Sequence, residues 1–434
     1  MHPLRCALAL SFATTTLLPA AGNDWPRFLG PTGAAMVAES KVPLTWSDTE
    51  NLRWKATLPG PGASSPIVMG EKVFVTCWTG YGDKPGVGTP PGDMRQLVRH
   101  LICLSRADGK ILWDAKVPSA APEDPFTGFI TEHGYATSTP VSDGERVYVF
   151  FGKSGALAFD LQGKQLWQTS CGTGSGERRW GSAASPILHG NLLIVNATDE
   201  SEALYALDKL TGKIVWKAEG DFGMAYGTPN ILKRAGVDDL VLAIPQELWG
   251  MNPDTGKLRW YASHGLTGNV SPCLIPGGDD TVYVFGGFPA TRSTAIKLGG
   301  KGDLGTKAIL WNSSSSSYVP TPILKDGHLY VINDQGFALC IDAKTGADIY
   351  RERSTMGSRG GGKPFYASPV LIGDKLVCVS RRNGAFILAA TPKYELIRTN
   401  EFASDDSHFN ATPAITGDRL ILRSNKAVYC VGVK

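Results

Sequence analysis

Apolar residues come in short runs along the whole chain, each a few positions long before Gly, Asp, Asn or Ser interrupts it. Ser185-Pro186-Ile187-Leu188 is followed by His189-Gly190-Asn191 and then by Leu192 to Asn196, which reads as two strands about a tight turn. Ala203 to Leu207 forms a third run, and Ile214-Val215-Trp216 opens a fourth. Between these two lies Asp208-Lys209-Leu210-Thr211-Gly212-Lys213, a stretch of turn chemistry. An Asp side chain can accept from the backbone just after it, and Gly takes positive φ without strain. The runs lack helical periodicity, so the pattern predicts a β-meander.

The unit recurs. An X-Pro step opens it at Pro66, Pro140, Pro186, Pro229, Pro272, Pro322, Pro369 and Pro413; the first interval is 74 residues and the later ones run from 43 to 50. That spacing matches one four-stranded blade, and eight steps predict an all-β, eight-bladed β-propeller of antiparallel blades. Trp54, Trp113, Trp167, Trp216, Trp260 and Trp311 fall on fourth strands, with Tyr350 in the same place of a further unit. Trp54 precedes the first step, whereas Ala411 to Val433 supplies three strands and then stops. The strand at 52–58 is therefore expected to complete the C-terminal sheet and close the ring, leaving no sheet short of a partner. Cys103, Cys340 and Cys430 share a third-strand slot with Ala158, Ala206 and Gly250, which predicts a small packing site with inert thiols.

Charge and composition narrow the function classes. Lys and Arg total 43 against 40 Asp and Glu, a formal charge of +3 without a long run of one sign, which argues against a nucleic-acid partner. Residues 1–22 read as a signal peptide, with Arg5 before an apolar stretch from Cys6 to Leu18 and small residues at Ala20 to Gly22. The mature chain is thus expected to be exported, periplasmic or extracellular, with no transmembrane span and as a monomer; residues 23–43 form a lead-in to the propeller at 23–434. The cysteines contain no CxxC pair and no CxxCH haem site, and we expect no disulfide framework and no metal.

The string Ala206-x-Asp208-x-x-Thr211-Gly212-Lys213-x-x-Trp216, with weaker copies over residues 44–434, resembles the tryptophan-docking repeat of the pyrroloquinoline-quinone (PQQ) propeller superfamily. The opening Asp24-Trp25-Pro26-Arg27-Phe28-Leu29-Gly30-Pro31 and the step Trp46-Ser47-Asp48 resemble exported PQQ-like repeat proteins. In size and blade count the chain is similar to the propeller subunit of the outer-membrane β-barrel assembly machinery. The resemblance implies that each docking indole packs between neighbouring blades. It also implies two activities to weigh: scaffolding without a cofactor, or a dehydrogenase of alcohols or sugars using PQQ with Ca²⁺. The adjacent cysteine pair of the superfamily's alcohol dehydrogenases is missing here, and the chain is shorter than those enzymes.

Blade-joining loops and the loops between second and third strands gather at one face of a propeller, where function is sought. On that rim we place Tyr135, Lys153, Arg179, Trp180, Tyr226, Asn269, Tyr366, Arg381, His408 and Asn410 as binding residues, with no catalytic residue assigned. Such a mixture of aromatic, basic and amide groups suits a planar polyanion, a sugar or a peptide; the plainer reading is that these are solvated loop residues and wedges at the blade seams. The expected partner is an envelope protein, a glycan or a small ligand. Thr79 to Val98 and Ser119 to Thr139 are long loops suited to lids or contacts, and Ser313 to Ser317 reads as a flexible connection.

Overall fold

The computed structural model describes residues 24–84, 89–120, 122–234, 236–353 and 362–433. The leader read at 1–22 lies outside the described residues. The strands form eight sheets, each built on four antiparallel strands, arranged as an eight-bladed propeller. Blade 1 spans residues 67–118, blade 2 141–169, blade 3 187–219, blade 4 230–263, blade 5 275–313, blade 6 323–353 and blade 7 370–400. Blade 8 takes three strands from 414–431, and its fourth is Leu52–Thr57, which pairs antiparallel with Ala427–Val431 so that Trp54 stands opposite Cys430. Second strands such as Leu192–Ala197 are buried, whereas fourth strands such as Ile214–Glu219 face solvent along one side.

Two sets of contacts hold blade against blade, an outer one at five of the eight seams and an inner one that runs all the way round. On the outside, the indole N–H of Trp54 donates to Arg106 O (2.9 Å), Trp113 to Leu161 O (3.1 Å), Trp167 to Lys209 O (3.1 Å), Trp216 to Pro253 O (2.9 Å) and Trp311 to Ala343 O (3.0 Å). Each acceptor lies in the turn before the fourth strand of the following blade. The turn is held by Asp208, whose Oδ1 accepts from the Leu210 and Thr211 backbone and from the Thr211 hydroxyl, and Gly212 follows at φ +73°. A Cβ on Gly212 would sit 2.7 Å from the Trp167 ring, so the glycine is needed for its backbone angle and for the close approach alike.

Trp260 departs from this scheme. Its N–H donates at 3.0 Å to Asp239 in its own blade, where Arg234 and Arg259 also pair with that carboxylate. Blade 5 replaces the Asp-x-x-Thr-Gly turn with a glycine-rich loop, and Gly302–Asp303 of that loop pairs in parallel with Trp260 and Tyr261. The place an indole would occupy in the next blade's turn is filled from blade 5 itself. Opposite each of these aromatics the third strand carries Cys103, Ala158, Ala206, Gly250, Ala295, Cys340 or Cys430, because the ring lies over that position. Burial pushes the Cys103 and Cys430 thiols up to about 12, which keeps them protonated.

On the inside, the residue before the strand-opening proline accounts for the X-Pro step. Ser65 N–H donates to Thr139 Oγ1, Thr139 to Ser185 Oγ, Ser185 to Thr228 Oγ1, Thr321 to Ser368 Oγ, Ser368 to Thr412 Oγ1 and Thr412 to Ser65 Oγ, all at 2.9–3.0 Å. Blade 5 completes the circle differently: the Thr228 N–H reaches the Cys273 thiol, and Cys273 N–H donates at 3.0 Å to Thr321 Oγ1. The repeat marker in this blade is therefore Cys273, and Pro272 precedes the equivalent position where the other prolines follow it. Proline suits those other sites because a strand end facing the channel has no ladder partner for an N–H.

Two loops differ from their sequence reading. Ser315, Ser316 and Ser317 are buried; Ser293 donates to Ser315 O and the Ser315 hydroxyl to Asp348, so the serine run is a packed connection and not a flexible one. The lead-in is a strap across the channel. Trp25 pairs with Val68 of blade 1, Ser142 of blade 2 donates to Pro26 O, Arg27 donates to Asn230 of blade 4, and Met36–Val37 runs parallel to blade 7.

Replacing Thr321 by Val keeps the shape of the side chain but leaves the buried Cys273 N–H without its acceptor. The expected cost is about 1–3 kcal/mol in urea denaturation, and an unchanged midpoint would mean that the inner ring of bonds contributes nothing to stability.

Candidate functional site

Alternate residues of an extended segment face the same way, so each inner strand presents its Ser or Thr and the residue two before it to the axis. The hydroxyl tier comprises Ser65, Thr139, Ser185, Thr228, Thr321, Ser368 and Thr412. The tier above it is Ala63, Thr137, Ala183, Tyr226, Ser271, Val319, Tyr366 and Asn410, one from each blade junction. Together with Phe129, His133, Trp180, Asn269, Tyr318 and Phe28 these residues line a cavity of about 150 Å³ at the channel mouth. Phe28 reaches it from the strap, which closes the far side.

The walls are aromatic. Phe129 stands 4.7 Å from Trp180 and 6.0 Å from Tyr366 between ring centroids, and Trp180 stands 6.0 Å from Tyr226. Asn269 donates its amide N–H to Tyr318 Oη at 3.1 Å. The Tyr226 hydroxyl is buried and has no hydrogen-bond partner among the described residues. His133 is half-buried, with Nδ1 at 2.9 Å from Thr137 Oγ1; loss of hydration pushes its pKa down to about 4, so the ring is neutral. Burial likewise raises the phenols of Tyr226, Tyr318 and Tyr366, which stay protonated.

Among the described residues, no Asp, Glu, Lys or Arg lines this cavity. Charges stand at its rim, and two of the cations there are held in ion pairs: Lys363 lies over the Tyr318 ring and pairs with Asp334 at 2.9 Å, and Arg381 lies over Tyr366 and pairs with Glu132. Arg178 is exposed at the rim, near enough to Tyr226 and Tyr318 to act on both. The Glu132 pair belongs to a lid. Within the long 119–139 loop, α1 (Ile130–His133) crosses the mouth to blades 7 and 8, where Asn410 donates to Glu132 O and accepts from Arg381 Nε. Its base is an aromatic cluster in which Trp78 and Tyr135 meet edge-on at 6.1 Å, joining this loop to the other long loop.

The ten rim residues therefore divide. Trp180, Tyr226, Asn269, Tyr366 and Asn410 converge on the cavity, and Arg381 latches the lid above it. Tyr135 is buried in the lid's base with its hydroxyl on Asp124 O, and Lys153 is buried against Asp124. Arg179 is exposed at positive φ, and His408 accepts from Arg382 outside the cavity. A rule reading two residues upstream of each Ser/Thr-Pro step would have added Thr137 and Val319. Phe28 and Phe129 come from non-repeating segments and carry no such signal.

A second buried site adjoins the first through Thr137 and Gly181. Arg99 pairs with Glu123 at 2.9 Å and Lys153 with Asp124 at 3.2 Å, while Asp199 and Glu200 on α2 (Thr198–Ser201) lack a cationic partner of their own among the described residues. Burial raises Asp199 to about 6 and Glu200 to about 8, and the Ser182 hydroxyl lies within hydrogen-bond reach of both Glu200 oxygens. On the opposite face, a recess of about 640 Å³ lies between the strap and blades 5 and 6.

A family model described as "Outer membrane protein assembly factor BamB" matches residues 98–352. Among curated proteins, the chain is 22% identical to the tetrathionate hydrolase of Acidithiobacillus ferrooxidans over 75% of its length and 64% of that protein's. It is 23% identical to the polyvinylalcohol dehydrogenase of a Pseudomonas species over 74% of its length and 50% of that protein's. The chain thus spans about half to two thirds of the curated relatives it matches. Among solved structures it is similar to BamB from Moraxella catarrhalis (TM-score 0.54, 13% identity, 91% of this chain and 97% of that one). It is also similar to a europium-containing methanol dehydrogenase (TM-score 0.59, 11% identity, 93% and 90%). At such identities the structures speak for the fold alone.

The Glu200 shift fixes the sign of a pH effect. The folded chain holds this proton until about 8, whereas the unfolded chain releases it near the ordinary 4.5, so the stabilisation is complete below the lower value and is lost as pH rises through the upper. Denaturation midpoints of the wild type should fall between about pH 5 and about pH 9, with Glu200→Gln removing a contribution on the order of a few kcal/mol to that slope. Parallel profiles for the two proteins would mean that Glu200 is ionised in the fold.

Proposed function

The chain belongs to the family described as outer membrane protein assembly factor BamB, and we propose that it is an exported, non-catalytic binding or scaffolding propeller whose ligand or partner sits at the channel-mouth face. The observation that carries this reading is the mouth cavity itself. Aromatic side chains from separate blade junctions meet there, over a floor of hydroxyls, around a buried phenol that lacks a partner among the described residues. Concave apolar pockets with a few convergent polar groups are where proteins hold ligands. The leader read in the sequence supports export, and no helix among the described residues is long and apolar enough to cross a membrane.

The quinoprotein alternative draws on the dehydrogenase relatives. PQQ carries three carboxylates and an ortho-quinone, and a site for it needs cations or a metal facing those oxygens. Among the described residues the lining offers neither Arg nor Lys, the rim cations Lys363 and Arg381 are already paired, the exposed Arg178 is a single charge at the rim against three carboxylates, and no group of three His, Cys, Asp or Glu is placed to hold a metal ion. The residues present do not fit the cofactor, and we derive no step through it.

Pull-down from envelope extracts with the wild type and with a Trp180→Ala, Tyr366→Ala double variant tests the proposal. The wild type should retain a protein or glycan, and the double variant should lose at least about tenfold in recovery, as expected when central aromatic contacts are removed. Equal recovery by both would move the binding face elsewhere. Dye reduction with PQQ, Ca²⁺ and an alcohol or aldose at robust turnover would overturn the non-catalytic reading.

A further inference from the structure

We propose that the mouth cavity takes a single uncharged pyranose ring, either a free sugar or the terminal residue of a glycan; this rests on the reading of the mouth as the binding face and names its ligand class. Size sets the first limit. A cavity of about 150 Å³ is of the volume that holds one six-membered ring, as an engineered apolar cavity of similar size holds benzene. A ring of this kind can enter between Phe129, Trp180, Tyr226 and Tyr366, whose faces suit the C–H surfaces of a sugar.

Polar chemistry sets the second limit and separates a sugar from an apolar ring. The seven Ser and Thr oxygens of the floor accept backbone N–H groups from the preceding blades; Thr228 and Thr321 also turn their hydroxyls to the Cys273 thiol, and at Ser65, Thr139, Ser185, Ser368 and Thr412 the hydroxyl proton is the part left to donate. The Tyr226 hydroxyl is more than nine-tenths buried and has no partner among the described residues. An occupant bearing its own hydroxyls around a ring answers these groups in both directions. An aromatic or proline side chain of a peptide would fill the walls and leave the floor unpaired, at a cost for every group so stranded.

Charge sets the third. With no ionic side chain among the described residues of the lining, and with Lys363 and Arg381 committed to Asp334 and Glu132, a carboxylate or ammonium drawn into the cavity would lose its hydration, and the exposed Arg178 at the rim, without an ion-pair partner among the described residues, is the nearby cation to set against that loss. Uronic acids and amino sugars are therefore disfavoured against neutral sugars of the same shape.

Calorimetric titration of the full chain with the methyl glucosides, galactosides and mannosides, with methyl glucuronide, with neutral trisaccharides and with N-acetyl-tyrosinamide tests this. At least one neutral methyl pyranoside should bind saturably and methyl glucuronide at least about tenfold more weakly, while Tyr226→Phe, which deletes only the hydroxyl, should weaken the neutral sugar by about fivefold to tenfold. Trisaccharides that bind as well as the monosaccharide would assign the site to glycan ends, and their exclusion would assign it to free sugars. Binding of N-acetyl-tyrosinamide without any pyranoside would overturn the sugar class while leaving the mouth as the binding face. Failure of every probe, together with wild-type recovery by the Trp180, Tyr366 double variant in the pull-down, would overturn both.

Discussion

A buried backbone N–H at the start of each inner strand has no sheet partner, and it must be satisfied across the seam between blades. This chain does so with a side chain from the next blade, seven times a Ser or Thr hydroxyl and once the Cys273 thiol. The seven bonds to hydroxyls are short and buried, and each acceptor's own N–H passes the requirement on, until Thr412 returns it to Ser65. A ring of this kind cannot lose a blade without stranding a donor and an acceptor. The indoles of the fourth strands add an outer contact at five of the eight seams, and Trp260 is released from this role because Asp239 and the blade 5 loop satisfy its seam by other means.

The hydroxyls that lock the ring are also the floor of the mouth cavity. Architecture and recognition therefore share atoms on the lower tier, and variation is confined to the tier above, where Ala63, Ala183 and Val319 alternate with Tyr226, Tyr366 and Asn410. The asymmetry of the cavity follows. Bulk and polarity are concentrated on some blade junctions, and the inserted 119–139 loop lays α1 over the mouth between blades 7 and 8. Among the described residues, charge is organised beside the cavity and not in its lining, with ion pairs at the rim and the Asp199 and Glu200 carboxyls raised by burial behind Gly181.

Much of this was legible in the residues. Strand, turn and proline signals are local, set by backbone angles and by side chains within a few positions, so they are read the same way in every unit; hence the fold class and the blade count emerged. Five of the ten rim residues reached the cavity because position before an X-Pro step is itself periodic. Tyr135 and Lys153 did not, since the long loop that buries them has no repeat against which to phase it. The serine run at 313–317 misled for a related reason: its composition is that of a linker, but its hydroxyls find Asp348 and the Arg292 carbonyl within packed surroundings.

What the sequence alone determined is the repeating part: strands, turns, small residues opposite the indoles, and a count of eight. What only the tertiary structure decided is everything that depends on which residues meet across the axis. That includes the strap of the lead-in, the lid held by Glu132 and Arg381, the displaced register of blade 5 and the uncharged character of the cavity lining among the described residues. The physical reason is range. Local conformation is governed by neighbours along the chain, whereas a channel brings together residues hundreds of positions apart, and their charge and shape act on one another only after the ring has closed.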